Sequence, residues 1–331
     1  MATYLETANL EHLAEVDARE ALACEVRRGL ISRPRELSPW MFYDAEGSRL
    51  FERITTLPEY YPTRTERAIL ANHADAIVAE AHGNRSLPLR IVELGAGTAS
   101  KTCILLEAAL RISDEVSYVP VDVCSNSLEL ACQNVAGTLP EVRIEPIVGN
   151  YVTNPLQLEP FFGTTLALYI GTSIGNFAPE EARLILRDLR DELHAGDALL
   201  LGTDMVKDEL TLLAAYDDSQ GITAAFNLNI LHRLNRELGA NFDAARFRHR
   251  ALWNSRESRI EMHLESIQEQ EVAIERAGLY LHFMPWETIH TENSYKFSDK
   301  SIRGLLSRAG FQTKGVWKDH SGWYSLTLAR A

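Results

Sequence analysis

The sequence predicts an α/β protein built on a doubly wound parallel sheet, and three observations carry that expectation. The run from Leu87 to Lys101 reads as a buried strand that breaks at Gly95 and Gly97 and opens a helix. From Leu87 to about Val206, short apolar runs alternate with amphipathic helical stretches, the rhythm of parallel strands joined by crossover helices. Polar and small residues gather where four of these strands end, on the side of such a sheet where ligands bind.

Taken in order, residues 1–37 carry helical periodicity, clearest from Val16 to Leu30, and close in the breaker-rich loop Ser32 to Pro39. They precede the first sheet strand and belong outside the sheet. Strands are expected at Arg90–Leu94, Ser117–Val123, Arg143–Val148, Thr165–Ile170 and Ala198–Thr203, with a helix over Thr98–Leu110. After Val206 the rhythm breaks. Asp208 to Leu238 reads as consecutive helical segments and Phe247 to Glu265 as a charged, alternating strand-like stretch, so this region is expected to be an insertion. A strand at Gly278–Phe283, a helix at Asp299–Ala309 and a closing strand at Trp323–Ala329, placed as an antiparallel edge, complete the expectation.

The chain has 331 residues, enough for one large domain or two ordinary ones, and a formal net charge of −13. With its few basic clusters scattered among acids it has no basic stripe for a phosphate backbone, which excludes nucleic acid and anionic membrane as expected partners. No apolar run approaches the roughly 18 to 20 residues of a membrane span, and the first residues are polar and acidic, so a cytoplasmic location is expected. Cys24, Cys103, Cys124 and Cys132 show no metal-type spacing and read as reduced and mostly buried. The histidines form no His-x-x-x-His pair, so no metal is expected.

Gly95 and Gly97 lack a Cβ, which lets the backbone turn sharply and approach a ligand. A dinucleotide site calls for a third glycine at position 100, but that residue is Ser100. Asp122 ends the next apolar strand, where a carboxylate accepts from ribose hydroxyls. Glycine pair, missing third glycine and acidic strand end together favour S-adenosylmethionine over NAD. At the third strand's exit, Asn150 and Tyr151 offer an amide for a purine edge and a ring for its face, or else a plain Gly-Asn turn. At the fourth, Gly171 to Asn176 is either a binding turn or, at Asn176, a helix N-cap before Pro179.

Several long segments are similar to one family. They are Trp40 to Glu66, with its Phe-Tyr-Asp and Leu-Pro-Glu-Tyr-Tyr-Pro-Thr-Arg-Thr-Glu runs, Glu93 to Thr98, Gly171 to Asn176, Ala215 to Asp218 and Thr291 to Phe297. They resemble the histidine-specific N-methyltransferases of ergothioneine biosynthesis, nearly end to end. The resemblance implies an α/β fold with a Rossmann-like class I methyltransferase sheet and a second α+β substrate-recognition domain. The expected division gives residues 62–206 and 297–331 to the cofactor-binding domain and 1–61 and 207–296 to the other.

By motif, Tyr43, Gly95, Lys101, Asp122, Asn150 and Tyr151 would line S-adenosylmethionine. Phe51, Tyr60, Gly171, Asn176, Tyr216, Met262, Glu292 and Ser294 would line an amino acid substrate, with Tyr43 and Asn176 nearest the chemistry. The resemblance assigns the substrate carboxylate to Tyr60 and Tyr216, its α-amino group to Asn176, and its imidazole to Glu292 and Ser294. Neutral phenols donate to a carboxylate, and an amide oxygen accepts from an amine while sparing its lone pair. The plain alternatives are loop packing for Tyr60, a turn or cap for Glu292 and core packing for Met262.

The chain departs from the family pattern in carrying Asn150 where an aspartate is usual, and His290 and Asn293 where arginine and an aliphatic residue occur. The expected reaction is successive in-line methyl transfer to the α-amino nitrogen of L-histidine, giving hercynine, by a monomer acting on a small molecule. Methylation of another small, aromatic amino acid and a non-catalytic S-adenosylmethionine-binding protein are the rival readings.

Overall fold

The computed structural model describes residues 19–83, 87–152 and 156–331. The first part of the expected N-terminal helical stretch lies outside the described residues. Helix α1 covers 19–31, where Leu22, Val26 and Leu30 recur at helical spacing and are buried. There follow strand β1 (Arg35–Glu36), helix α2 (Ala45–Thr55) and the long helix α3 (Tyr61–His82), which starts with Pro62 in its first turn and stops at Gly83 with φ +63°.

The chain then runs β2 (Leu89–Leu94), α4 (Thr102–Leu110), β3 (Val116–Asp122), α5 (Ser125–Thr138), the two-residue strands β4 (Arg143–Ile144) and β5 (Ile147–Val148), β6 (Thr164–Tyr169), α6 (Pro179–Glu192) and β7 (Ala198–Asp204). Next come α7 (Glu209–Ala214), α8 (Ile222–Leu238), β8 (Phe247–Asn254), β9 (Arg259–Ser266), β10 (Gln270–Ile274), β11 (Leu279–Phe283) and β12 (Thr288–Tyr295). The chain returns to the large sheet with α9 (Asp299–Arg308), β13 (Gln312–Lys318) and β14 (Tyr324–Arg330).

The large sheet has the order β13-β14-β7-β6-β2-β3-β4, with β5 also paired to β3. Strands β3, β2, β6 and β7 are parallel neighbours, and β14 joins β7 antiparallel. Every residue of β2, β6 and β7 is buried because helices cover both faces. Alternate residues divide between the faces. Leu200 packs with Leu70, Ile77 and Leu106 toward α3 and α4, whereas Leu199 and Leu201 pack with Ile185, Leu189 and Leu305 toward α6 and α9. Each such leucine stabilises the sheet by about 1.5 to 3 kcal/mol over leaving it in water. The chain leaves β2 toward β3 on one side and later places β6 on the other, so the order reverses between β2 and β6. The exits of those two strands therefore flank the crevice where this kind of sheet takes its ligand.

Several expectations are corrected. The helix expected from Thr98 begins only at Thr102, because Gly97 and Ala99 both have positive φ (+53° and +54°), which no α-helix accommodates. The single strand expected over Arg143–Val148 is two, split where Pro146 lacks a backbone donor. The closing strand is antiparallel but is not the edge, since β13 lies outside it. Of the four cysteines only Cys124 is buried, and Cys24 is exposed; all four are free thiols.

A four-stranded sheet of order β1-β12-β9-β8 and the β10–β11 hairpin hold the remaining strands. The described residues form two compact units, those within 1–51, 216–252 and 261–292 in the smaller, and those within 52–215, 253–260 and 293–331 in the larger. Among the described residues no helix is long and apolar enough to cross a membrane.

Candidate functional site

In the larger unit the turn after β2 is built for a close ligand approach. Gly95 and Ala96 donate to the carbonyl of Val121 at 2.8 and 3.1 Å, which locks the turn to the end of β3. Gly95 has φ +73°, and a Cβ there would stand 3.5 Å from the Tyr151 hydroxyl; a Cβ on Gly97 would meet nothing within 4 Å. Asp122, at the end of β3, accepts from the backbone N–H of Gly97 at 3.0 Å through one carboxylate oxygen and from Cys124 at 2.9 Å through the other. A carboxylate has about four acceptor positions, so both oxygens retain capacity for a diol. Burial pushes the Asp122 carboxyl up, against the opposing pull of those backbone donors. An open glycine cradle beside an acid with spare acceptors fits the ribose end of S-adenosylmethionine.

Tyr151 packs edge-on to Tyr169 with ring centroids 5.7 Å apart, and burial pushes its phenol up to about 12. Asn150 closes an Asx turn, its side-chain oxygen accepting from Val152 N–H at 3.0 Å. The turn reading of Asn150 is thus realised in the structure.

Beneath the glycine turn lies a charge that sequence reasoning passed over. Glu93, inside β2, is fully enclosed; the Thr102 hydroxyl lies 2.7 Å from both of its oxygens, and the Tyr118 hydroxyl donates to it as well. Burial outweighs these donors and raises its carboxyl to about 7. The signal was present, since a glutamate in the centre of an otherwise fully buried strand has to be satisfied by its neighbours.

Glu66 on α3 is a second buried acid. One oxygen accepts from Gly171 N–H at 3.0 Å and from the Tyr324 hydroxyl at 2.6 Å, and the other pairs with the Lys101 ammonium. Lys101, expected at the cofactor, and Gly171, expected at the substrate, are thereby brought together on one carboxylate. Gly171 has φ +85°, and a Cβ there would press on Lys101 Nζ at 3.3 Å. The turn continues through Thr172 at φ +75° into a 3-10 helix, Ser173–Asn176. Asn176 is not the cap of α6. That place is taken by Ala178, whose N–H donates to Glu181 at 2.8 Å, so the capping alternative for Asn176 falls away. Tyr60 is buried at the N-terminal end of α3.

At the end of β7, Asp204 is buried among Tyr61, Lys207 and Lys296. The Tyr61 hydroxyl lies 2.9 and 2.8 Å from its two oxygens, Lys207 pairs with one oxygen, and Lys296 reaches the other at 2.9 Å. Burial acts to raise the Asp204 carboxyl, but the two ammonium groups outweigh it and hold it below the usual range. Burial lowers Lys207 to about 8 despite the same pairing. Lys296 also donates to Ser294 Oγ at 2.7 Å.

The smaller unit gathers Tyr43 and Phe51 around Phe226, at centroid distances of 6.0 Å each and 5.9 Å from one another. Phe226 in turn stacks on Phe42 at 4.6 Å. A polar chain runs beside Tyr216, Met262 and Glu292, all three largely buried. His249 Nε2 lies 2.8 Å from the Tyr216 carbonyl, which can only accept, so Nε2 carries the proton and Nδ1 accepts from Asn227 at 2.9 Å. Burial keeps His249 neutral by lowering its pKa. Asn227 also donates to the His263 carbonyl at 3.0 Å and accepts from Thr291 at 2.8 Å. Asn227, His249 and Thr291 were not expected; the only sequence cue is an asparagine on the buried side of α8.

A doubly wound sheet with a glycine turn after β2 and an acid ending β3 is the frame of a nucleotide-type cofactor site, and the family that the sequence matches makes the protein an S-adenosylmethionine-dependent methyltransferase. The chain belongs to one family within that class: residues 22–331 match the model of the "Histidine-specific methyltransferase, SAM-dependent" family. It is 42% identical over 318 residues to a histidine N-alpha-methyltransferase of Mycolicibacterium smegmatis, covering 96% of this chain and 97% of the relative. It is 38% identical to the protein of the same description from Mycobacterium tuberculosis, with the same coverage. The ergothioneine biosynthesis protein 1 of Schizosaccharomyces pombe is 29% identical over 88% of this chain and 38% of its own length. The protein is an S-adenosylmethionine-dependent N-methyltransferase.

Proposed function

We propose that the protein methylates the α-amino nitrogen of L-histidine, up to three times, giving hercynine for ergothioneine biosynthesis. The observation that carries the reading is the turn at the exit of β6, where Gly171 is tied to Glu66 and Asn176 is left outside the cap of α6. Its similarity over nearly the whole chain to histidine N-alpha-methyltransferases supports the choice of substrate. When bound, S-adenosylmethionine supplies a methyl group on a sulfonium, already a good leaving group.

The chain's residues have therefore to orient and desolvate the amine. An amine attacks only as the neutral base, and the Asn176 amide oxygen accepts one amine N–H without drawing the lone pair into an ion pair. Each transfer breaks one sulfur–carbon bond, forms one nitrogen–carbon bond and releases one proton to solvent until the nitrogen has no proton left. Asp122 is the proposed ribose acceptor, and Lys101, held by Glu66, the proposed partner of the cofactor's carboxylate.

The test is mass spectrometry of purified protein incubated with S-adenosylmethionine and the twenty amino acids together. A gain of three methyl groups on histidine alone is expected. Methylation of a different amino acid would overturn the substrate, and cofactor binding without any methylation would overturn the activity.

A further inference from the structure

We infer that His249 is a positioning residue for recognition of the substrate's carboxylate: its Nε2–H holds the main chain at Tyr216 and so places the phenol that binds that group. The inference rests on the proposed reading of Tyr216 as a carboxylate contact. Every residue it uses lies in the smaller unit.

Tyr216 stands in the connection that leads into α8, where the backbone forms a turn. Asp218 and His249 hold that connection. Asp218, itself buried, accepts from the backbone N–H groups of Gln220, Ile222 and Thr223 at 3.1, 3.0 and 2.7 Å, which fixes the start of α8. His249, from β8, donates to the Tyr216 carbonyl at 2.8 Å. The imidazole is held from behind by Asn227, which is fully buried and meets its Nδ1 at 2.9 Å.

This polar chain has two halves. Asn227 donates to the His263 carbonyl at 3.0 Å and accepts from Thr291 at 2.8 Å, which ties α8 to β9 and β12; that half is architecture. The other half runs through His249 to a turn that carries a proposed substrate contact. Both carbonyls can only accept, so the directions are set: the His263 carbonyl keeps the Asn227 amide nitrogen on the His249 side, and the Tyr216 carbonyl keeps the ring proton on Nε2. A tyrosine hydroxyl lies at the far end of a long side chain, so a small rotation of the peptide swings it off a carboxylate oxygen. Fixing the carbonyl of the same residue limits that rotation. An imidazole that does not touch the substrate thereby contributes to how its carboxylate is bound.

The experiment is calorimetric titration of L-histidine into protein saturated with S-adenosylhomocysteine, with histamine, which is histidine without its carboxylate, measured as a competitor. His249→Asn keeps an acceptor for Asn227 but is too short to reach Tyr216. It is expected to weaken L-histidine binding about tenfold, the size of one hydrogen bond, and histamine binding less than about twofold. His249→Gln keeps a donor at the reach of Nε2 and is expected to bind both ligands within about threefold of wild type. Tyr216→Phe is expected to cost L-histidine about tenfold, and adding His249→Asn to it is expected to cost nothing more, since both changes remove the same interaction. S-adenosylhomocysteine affinity, measured first, reports whether each variant is folded, and His249→Ser, also too short, replaces His249→Asn if that variant is not. An equal loss of both ligands, wild-type L-histidine affinity in His249→Asn, a tenfold loss in a folded His249→Gln, or a multiplied loss of about a hundredfold in the double variant would overturn the inference while the substrate reading stands. A wild type that binds histamine as tightly as L-histidine would overturn the carboxylate role of Tyr216 and the inference with it, and failure of the wild type to bind L-histidine would overturn the substrate reading as well.

Discussion

Replacing Glu93 by glutamine should change how the protein's stability depends on pH. In the folded chain this carboxyl is buried inside β2 and its pKa is raised from 4.5 to about 7. A group whose folded pKa lies above its unfolded one binds more protons when folded. Its contribution is therefore fully present below about pH 4.5 and is lost as the pH rises through 7. At about 1.4 kcal/mol per pH unit, the step from 4.5 to about 7 amounts to about 3 kcal/mol. Glutamine is neutral throughout, nearly isosteric, and keeps an acceptor for the hydroxyl of Thr102 or Tyr118, either of which can rotate to accept from its amide. The difference in unfolding free energy between wild type and Glu93→Gln is then expected to shift toward the variant by about 3 kcal/mol between pH 4.5 and pH 8. Urea unfolding at half-unit pH steps, followed by circular dichroism, measures it. Parallel stability curves for the two proteins across that range would refute the reasoning, because they would mean that the buried carboxyl has no raised pKa.

Three further outcomes are expected. Asp122→Asn should weaken S-adenosylhomocysteine binding about tenfold to a hundredfold in calorimetry, since its amide group would turn a donor toward one of the two backbone N–H groups that Asp122 now accepts from. Glu292→Ala should lower histidine affinity by a similar factor while leaving S-adenosylhomocysteine affinity within about twofold; equal losses of both would make Glu292 a structural residue. Gly202→Ala should lower the unfolding free energy by about 2 to 3 kcal/mol, because the new Cβ would stand 2.6 Å from both Glu66 Oε1 and the Tyr324 hydroxyl. A thermal midpoint unchanged from wild type would show that this buried pair can shift freely.

The parallel strands were legible because β2, β6 and β7 are buried on both faces and so read as unbroken apolar runs. Strand β13 was not, since it lies at the sheet edge and alternates exposed and half-buried residues around Gly315. The late start of α4 was hidden in Ala99, a residue type that gives no hint of a left-handed backbone. Within the candidate site, the turn at Gly95 and Gly97 and its bond to Asp122 could be expected from positions at strand ends, where the fold itself fixes the backbone. Glu66 and Asp204 could not be assigned, because what makes them important is distant in sequence: Glu66 meets Tyr324 across 258 residues and Asp204 meets Tyr61 across 143. A carboxylate among apolar neighbours signals that a partner exists, and only the fold says which.

The insertion of β14 between β13 and β7 has a kinetic consequence. Residues 324–330 form the partner of β7 and also carry the hydroxyl that Glu66 accepts from near the start of the larger unit. Until that segment is available, β7 presents an unpaired apolar edge, and covering it requires pairing residues such as Asp204 and Tyr324, 120 positions apart along the chain. Contacts of such long sequence separation make folding slow, and an unpaired strand edge invites pairing with other chains. Shortening the chain ahead of residue 324 is therefore expected to yield an aggregating product rather than a smaller enzyme, and refolding should become less efficient as protein concentration rises.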